Sequence, residues 1–140
     1  MTRSQRPPCI RNGDRHATEA VGRSRRARLG TALFWIVGGA LHFVIPGQYE
    51  SFVPPRLAPW RRELVVASGV AEIAGGVAVL PDQTRRWARW WLLATLAAVY
   101  PANINMAVNS KNFPDIPAPA LWVRLPLQFL FARNTWRGTR

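Results

Sequence analysis

Among the polar residues within otherwise apolar stretches of this chain, six set the chemistry open to it: His42, Glu72, Asn103, Asn105, Arg124 and Gln128. Glu72 is the middle residue of a 17-residue run, Leu64–Leu80, that carries no other charge. A carboxylate at the centre of a membrane helix costs about 2.5–3.5 kcal/mol, so it persists only against a protein interior, beside a partner, or protonated. Arg124, near the middle of the last apolar stretch, supplies a cation, and the two are expected to meet at one level as a coupled pair. Ser68, Glu72, Gly75 and Gly76 fall on one helical face, where small residues let another backbone come close. Arg124 and Gln128 share a face at i, i+4. Tyr100-Pro101-Ala102-Asn103-Ile104-Asn105 puts a proline inside an apolar stretch, with two amides after it. Together these groups outline a mid-membrane pocket: Arg124 orients a ligand oxygen, Glu72 holds or relays a proton, and Asn103 and His42 add hydrogen bonds.

Each residue also has a structural explanation. Glu72 and Arg124 can act purely as an ion pair that fixes helix register. His42 alone suits a hydrogen-bonded interfacial position. Asn103 and Asn105 can serve only to satisfy carbonyls freed by Pro101. One buried His and one Glu are too few ligands for a metal. The sequence holds no nucleophile triad, phosphate loop or nucleotide fingerprint.

These groups need helices to position them. Four apolar stretches recur, at 29–45, 64–80, 87–108 and 118–132. A bilayer crossing takes about 20 apolar residues, within a range of roughly 17–25; the first three qualify, and the fourth is short and carries Arg124. Average hydropathy is near zero only because charge and apolarity are segregated. The reading is all-α: a four-transmembrane-helix bundle at 28–133, a disordered basic arm at 1–27 and a tail at 134–140. Residues 48–63 hold Pro54, Pro55 and Pro59 and read as an irregular interfacial loop, with Tyr49, Phe52 and Trp60 at headgroup level. Pro81-Asp82 ends the second helix in a tight turn.

A net charge of +12 raises nucleic acid as a partner, but the distribution favours a lipid bilayer. The arm holds eight arginines, the turn with Arg89 three, and the segment from Arg133 three; the opposite side holds Arg56, Arg61, Arg62 and Lys111. Fourteen against four is a positive-inside bias, so both termini are expected in the cytoplasm of a multi-pass bacterial plasma-membrane protein. Cys9 is the single cysteine, which removes thiol–disulfide membrane chemistry.

Five segments carry a resemblance: Gly39-Ala40-Leu41-His42-Phe43, Val53-Pro54-Pro55, Ser68-Gly69-Val70-Ala71-Glu72, Tyr100 to Ala107, and Arg124-Leu125-Pro126-Leu127-Gln128. Over residues 30–136 the chain resembles the DoxX-like family of small bacterial membrane proteins. The resemblance implies a four-helix integral membrane protein, and the family's namesake is similar to a subunit of a thiosulfate:quinone oxidoreductase. The expected function is a small subunit or anchor, not catalytic alone, that holds a quinone-like or other lipophilic ligand and supports a redox partner. The alternatives are a proton-coupled transporter, which at this length needs self-association to supply a repeat, and a purely structural membrane protein.

Overall fold

The computed structural model describes residues 12–114 and 116–140, and every regular element among them is helical. In chain order these are α1 (Asn12–Val44), α2 (Pro46–Phe52), a 3-10 turn (Pro55–Trp60), α3 (Arg61–Ala78), α4 (Arg85–Val108), a short 3-10 turn (Ser110–Asn112) and α5 (Ala118–Gly138). Two segments are long and apolar enough to cross a membrane, Ser24–Val44 within α1 and Arg85–Val108. Helix α3 begins on Arg61-Arg62-Glu63, and α5 carries Arg124, Gln128 and Arg133, so both fall outside that class.

Several expected boundaries move. Residues 12–27, read as disordered arm, continue α1. No proline occurs between Pro8 and Pro46, and a helix nucleated by an apolar span propagates at one hydrogen bond per residue fixed. The rest of the arm, with Cys9, lies outside the described residues. The irregular loop at 48–63 is instead α2, with Pro46 in its first turn, and a 3-10 turn opened by Pro55. Proline is tolerated in a first turn because its missing N–H would have no intrahelical acceptor there. The tail from residue 134 is helical through Gly138.

The four long helices form an antiparallel ring in which α1 packs on α3, α3 on α4, α4 on α5 and α5 back on α1. The α1–α3 seam is the tightest. A Cβ added at Gly39 would come within 2.6 Å of the Gly69 carbonyl oxygen, and one at Gly76 within 3.0 Å of the Ala32 carbonyl. Helices α1 and α5 are joined by the buried Trp35 indole, whose N–H donates to Thr135 Oγ1 at 3.0 Å. Arg89 of α4 holds the far end of α5, donating from Nε to Thr139 Oγ1 at 3.0 Å with its guanidinium over the Trp136 ring.

Two apolar clusters divide the interior. Ala32, Trp35, Val79, Ala88, Leu92 and Leu96 pack at the end with the α3–α4 turn. Met106, Ala107 and Leu121, flanked by Phe52 and Phe113, pack at the α2 end. The outer surface is strongly apolar: Phe34, Val70, Trp87, Trp122, Phe129 and Leu130 are all exposed. An apolar exterior of this extent marks an interaction surface.

Candidate functional site

Between the two clusters lies a cavity of about 630 Å³. All five helices contribute: His42 from α1, Tyr49 and Phe52 from α2, Ser68 and Glu72 from α3, Asn103 from α4 and Arg124 from α5. The α1–α3 contact explains the first pairing. With no side chain at Gly39 or Gly69 the backbones approach closely, which places His42 one helical turn on from Gly39 and beside Glu72. His42 Nδ1 lies 3.0 Å from the Gly38 carbonyl, four residues back, and 3.9 Å from Glu72 Oε2. Both side chains are largely buried, with 8% and 12% of their surfaces accessible. Tyr49 stacks on the imidazole at a centroid distance of 3.8 Å. Burial pushes the Tyr49 phenol above its ordinary range; the Glu72 carboxylate adds to this and the Arg124 guanidinium opposes it.

The expected Glu72–Arg124 pair is not formed. Among the described residues the ion pairs within 4.0 Å are Arg28–Asp82, His42–Glu72 and Arg85–Asp82. The reason is register. Extending α5 to Gly138 makes Arg124 the seventh of its 21 residues, close to the α2 end, whereas Glu72 is the twelfth of 18 in α3. The two face one cavity from different depths. The Arg124 guanidinium instead lies over the Phe52 ring at 5.1 Å, a cation–π contact that leaves its N–H groups free to donate.

The amides also divide. Asn103 lines the cavity and donates from Nδ2 to Gln128 Oε1 at 2.6 Å. Gln128 is buried and in turn donates to the Leu96 carbonyl, five residues before Pro101. Pro101 has no N–H to give to the Ala97 carbonyl, and the Gln128 bond falls on the carbonyl next to that one. Gln128 therefore supports Asn103 from behind and does not line the cavity. Asn105 accepts from Asn109 Nδ2 at 2.9 Å along its own helix and is not among the lining residues.

Of the six expected site residues, the cavity gathers His42, Glu72, Asn103 and Arg124. Tyr49, Phe52, Trp91 and Thr95 also line it, beyond the six residues that stand out in the sequence. Tyr49 and Phe52, expected at headgroup level, reach the cavity from α2, the short helix that Pro46 opens. Among the described residues no three His, Cys, Asp or Glu side chains gather as a metal site. The lining is mostly apolar, with a few polar groups among the apolar ones, as in sites for small lipophilic molecules.

No curated protein and no solved structure matches the sequence. A family model described as Domain of unknown function (DUF8561) matches residues 31–139, from the buried Thr31 of α1 to the buried Thr139 after α5, and so takes in every residue that lines the cavity. The chain belongs to that family.

Proposed function

We propose that this protein is a four-span membrane bundle with both termini in the cytoplasm, and that it holds a quinone-like or similarly lipophilic ligand in the His42–Glu72–Arg124 cavity in support of a redox partner. The observation that carries the reading is the cavity itself: about 630 Å³, walled mainly by apolar side chains, with the donors of Arg124 and Tyr49 toward the α2 end and the Glu72 carboxylate deeper. Arg124 and Tyr49 suit a carbonyl or hydroxyl oxygen of the ligand, and Glu72 suits a hydroxyl hydrogen. His42, stacked on Tyr49 and 3.9 Å from Glu72, keeps both side chains oriented. The resemblance of the Glu72, Pro-Ala-Asn and Arg-Leu-Pro-Leu-Gln segments to DoxX-like proteins supports the same reading. The exposed apolar exterior supports a bilayer as its surroundings, and the arginine asymmetry supports the orientation.

Titrating the detergent-purified chain with decyl-substituted benzoquinone tests it. A hydrogen bond to a charged group contributes about 1.5–3 kcal/mol, so Arg124→Gln should weaken binding roughly tenfold or more. Asn105→Ala, outside the cavity, should change it by less than about twofold. Equal losses in the two variants, or no binding to the parent protein, would overturn the assignment.

A further inference from the structure

The walls of the cavity are not all internal. Ala67 on α3 and Ala94 and Ala98 on α4 line it and are also exposed on the outside of the bundle, as are Leu64 and Trp91. The space therefore opens sideways, through the seam between α3 and α4. Its lining positions on the two helices are small: Ala67, Ala71, Ala94 and Ala98. It is closed at the end nearer the α3–α4 turn, where the Trp91 indole donates across to the Ala71 carbonyl at 2.9 Å and lies against Gly75. At 1.5 Å per residue the open stretch from Leu64 to Ala71 is about 10 Å long.

The inner end of this groove is polar. His42, with 8% of its side chain accessible, uses Nδ1 toward Gly38 and Glu72, and its Nε2 has no hydrogen-bond partner among the described residues. The Tyr49 hydroxyl and the Arg124 guanidinium also have none there. An apolar side channel that ends at such groups has the polarity of one molecule with a tail and a head.

We infer that the site loads from within the bilayer through the α3–α4 seam, and that its ligand is an amphiphile. A compact head with acceptor oxygens meets Arg124 and Tyr49, His42 Nε2 is open to a hydroxyl hydrogen of the same head, and an unbranched apolar tail lies along Ala67, Ala71, Ala94 and Ala98. Trp91 is the end-stop that sets how far the tail runs inside the protein. This rests on the reading of the cavity as a lipophile site and adds its route and its tail.

The test uses the full chain in phosphatidylcholine nanodiscs and two probes with one head: decyl-substituted benzoquinone and the same quinone without the tail. Compared at equal concentration within the bilayer, where the tail gains packing contacts and not escape from water, the decyl probe should bind the parent protein more tightly than the tailless one. Ala67→Phe and Ala98→Phe, each placing a ring in the seam, should shrink that advantage to within about twofold. Ala94→Leu, a smaller intrusion, should give an intermediate ratio and serves if either phenylalanine variant fails to fold by circular dichroism. Equal affinity of the two probes for the parent protein would overturn the tail groove, as would an undiminished decyl advantage in the folded seam variants. If both probes bind and Arg124→Gln weakens both, the head site stands whatever the seam variants do. If neither probe binds the parent protein, the cavity reading falls, and the side entrance with it.

Discussion

His42 is held by three neighbours at once: the Gly38 carbonyl, the Glu72 carboxylate and the Tyr49 ring. Glu72 should therefore be coupled to His42 more strongly than to Arg124, with which it forms no ion pair. In double-mutant cycles of unfolding in detergent, His42→Ala with Glu72→Gln should show a coupling of about 0.5–3 kcal/mol. Glu72→Gln with Arg124→Gln should show clearly less, and the reverse order would contradict the arrangement described. The identity of the polar residues was legible in the sequence because a charge or amide in an apolar run stands out at once. Their pairing was not. Arg124 is central in an apolar stretch that ends at residue 132, but the helix runs on through Arg133 and Asn134 to Gly138. Tyr49 was hidden for a related reason: an aromatic residue between prolines reads as an interfacial anchor until the direction of α2 is known.

At the scale of elements, the α1–α3 seam and helix α5 make opposite demands. The seam depends on absent side chains. Gly39→Ala puts a Cβ against the Gly69 carbonyl oxygen at 2.6 Å, and backbone cannot move aside cheaply. It should lower stability by about 1–3 kcal/mol in thermal melts. Gly30→Ala, with nothing within 4 Å, should be neutral or stabilising by up to about 1 kcal/mol through helix propensity. Equal effects would remove close packing as the reason for the glycines. If α5 spans a membrane as proposed, it depends on its neighbours, because Arg124, Pro126 and Gln128 oppose its burial in lipid alone. In an insertion reporter, residues 112–138 should insert poorly by themselves and well when α3 and α4 precede them. Efficient solitary insertion would contradict this. The inward glycine face of α3 was readable from i, i+4 spacing, whereas the helical course of residues 12–27 was not, since a run of arginines has the composition of a disordered segment.

For the whole molecule, the apolar exterior and the separation of charge jointly support a membrane bundle whose two ends differ. In a Cys9→Ser background, Ser51→Cys should react with an impermeant thiol reagent in intact cells, while Arg140→Cys should react only after permeabilisation. Labelling of Arg140→Cys in intact cells would reverse the orientation. The all-helical architecture was legible from apolar run lengths, and a pocket from the polar residues within them; the wall that α2 adds was not, because it forms where α2 folds back over the gap between two apolar clusters. The central claim is that this gap holds a lipophilic molecule, and the most direct measurement is the content of the protein as it leaves its own membrane. Organic extracts of the detergent-purified full chain, quantified by mass spectrometry, should contain close to one lipophile of a single class per protein, and extracts of folded Arg124→Gln protein should contain far less. A folded parent protein that carries only the mixture of bulk lipids, in the same proportions as the variant, would contradict it.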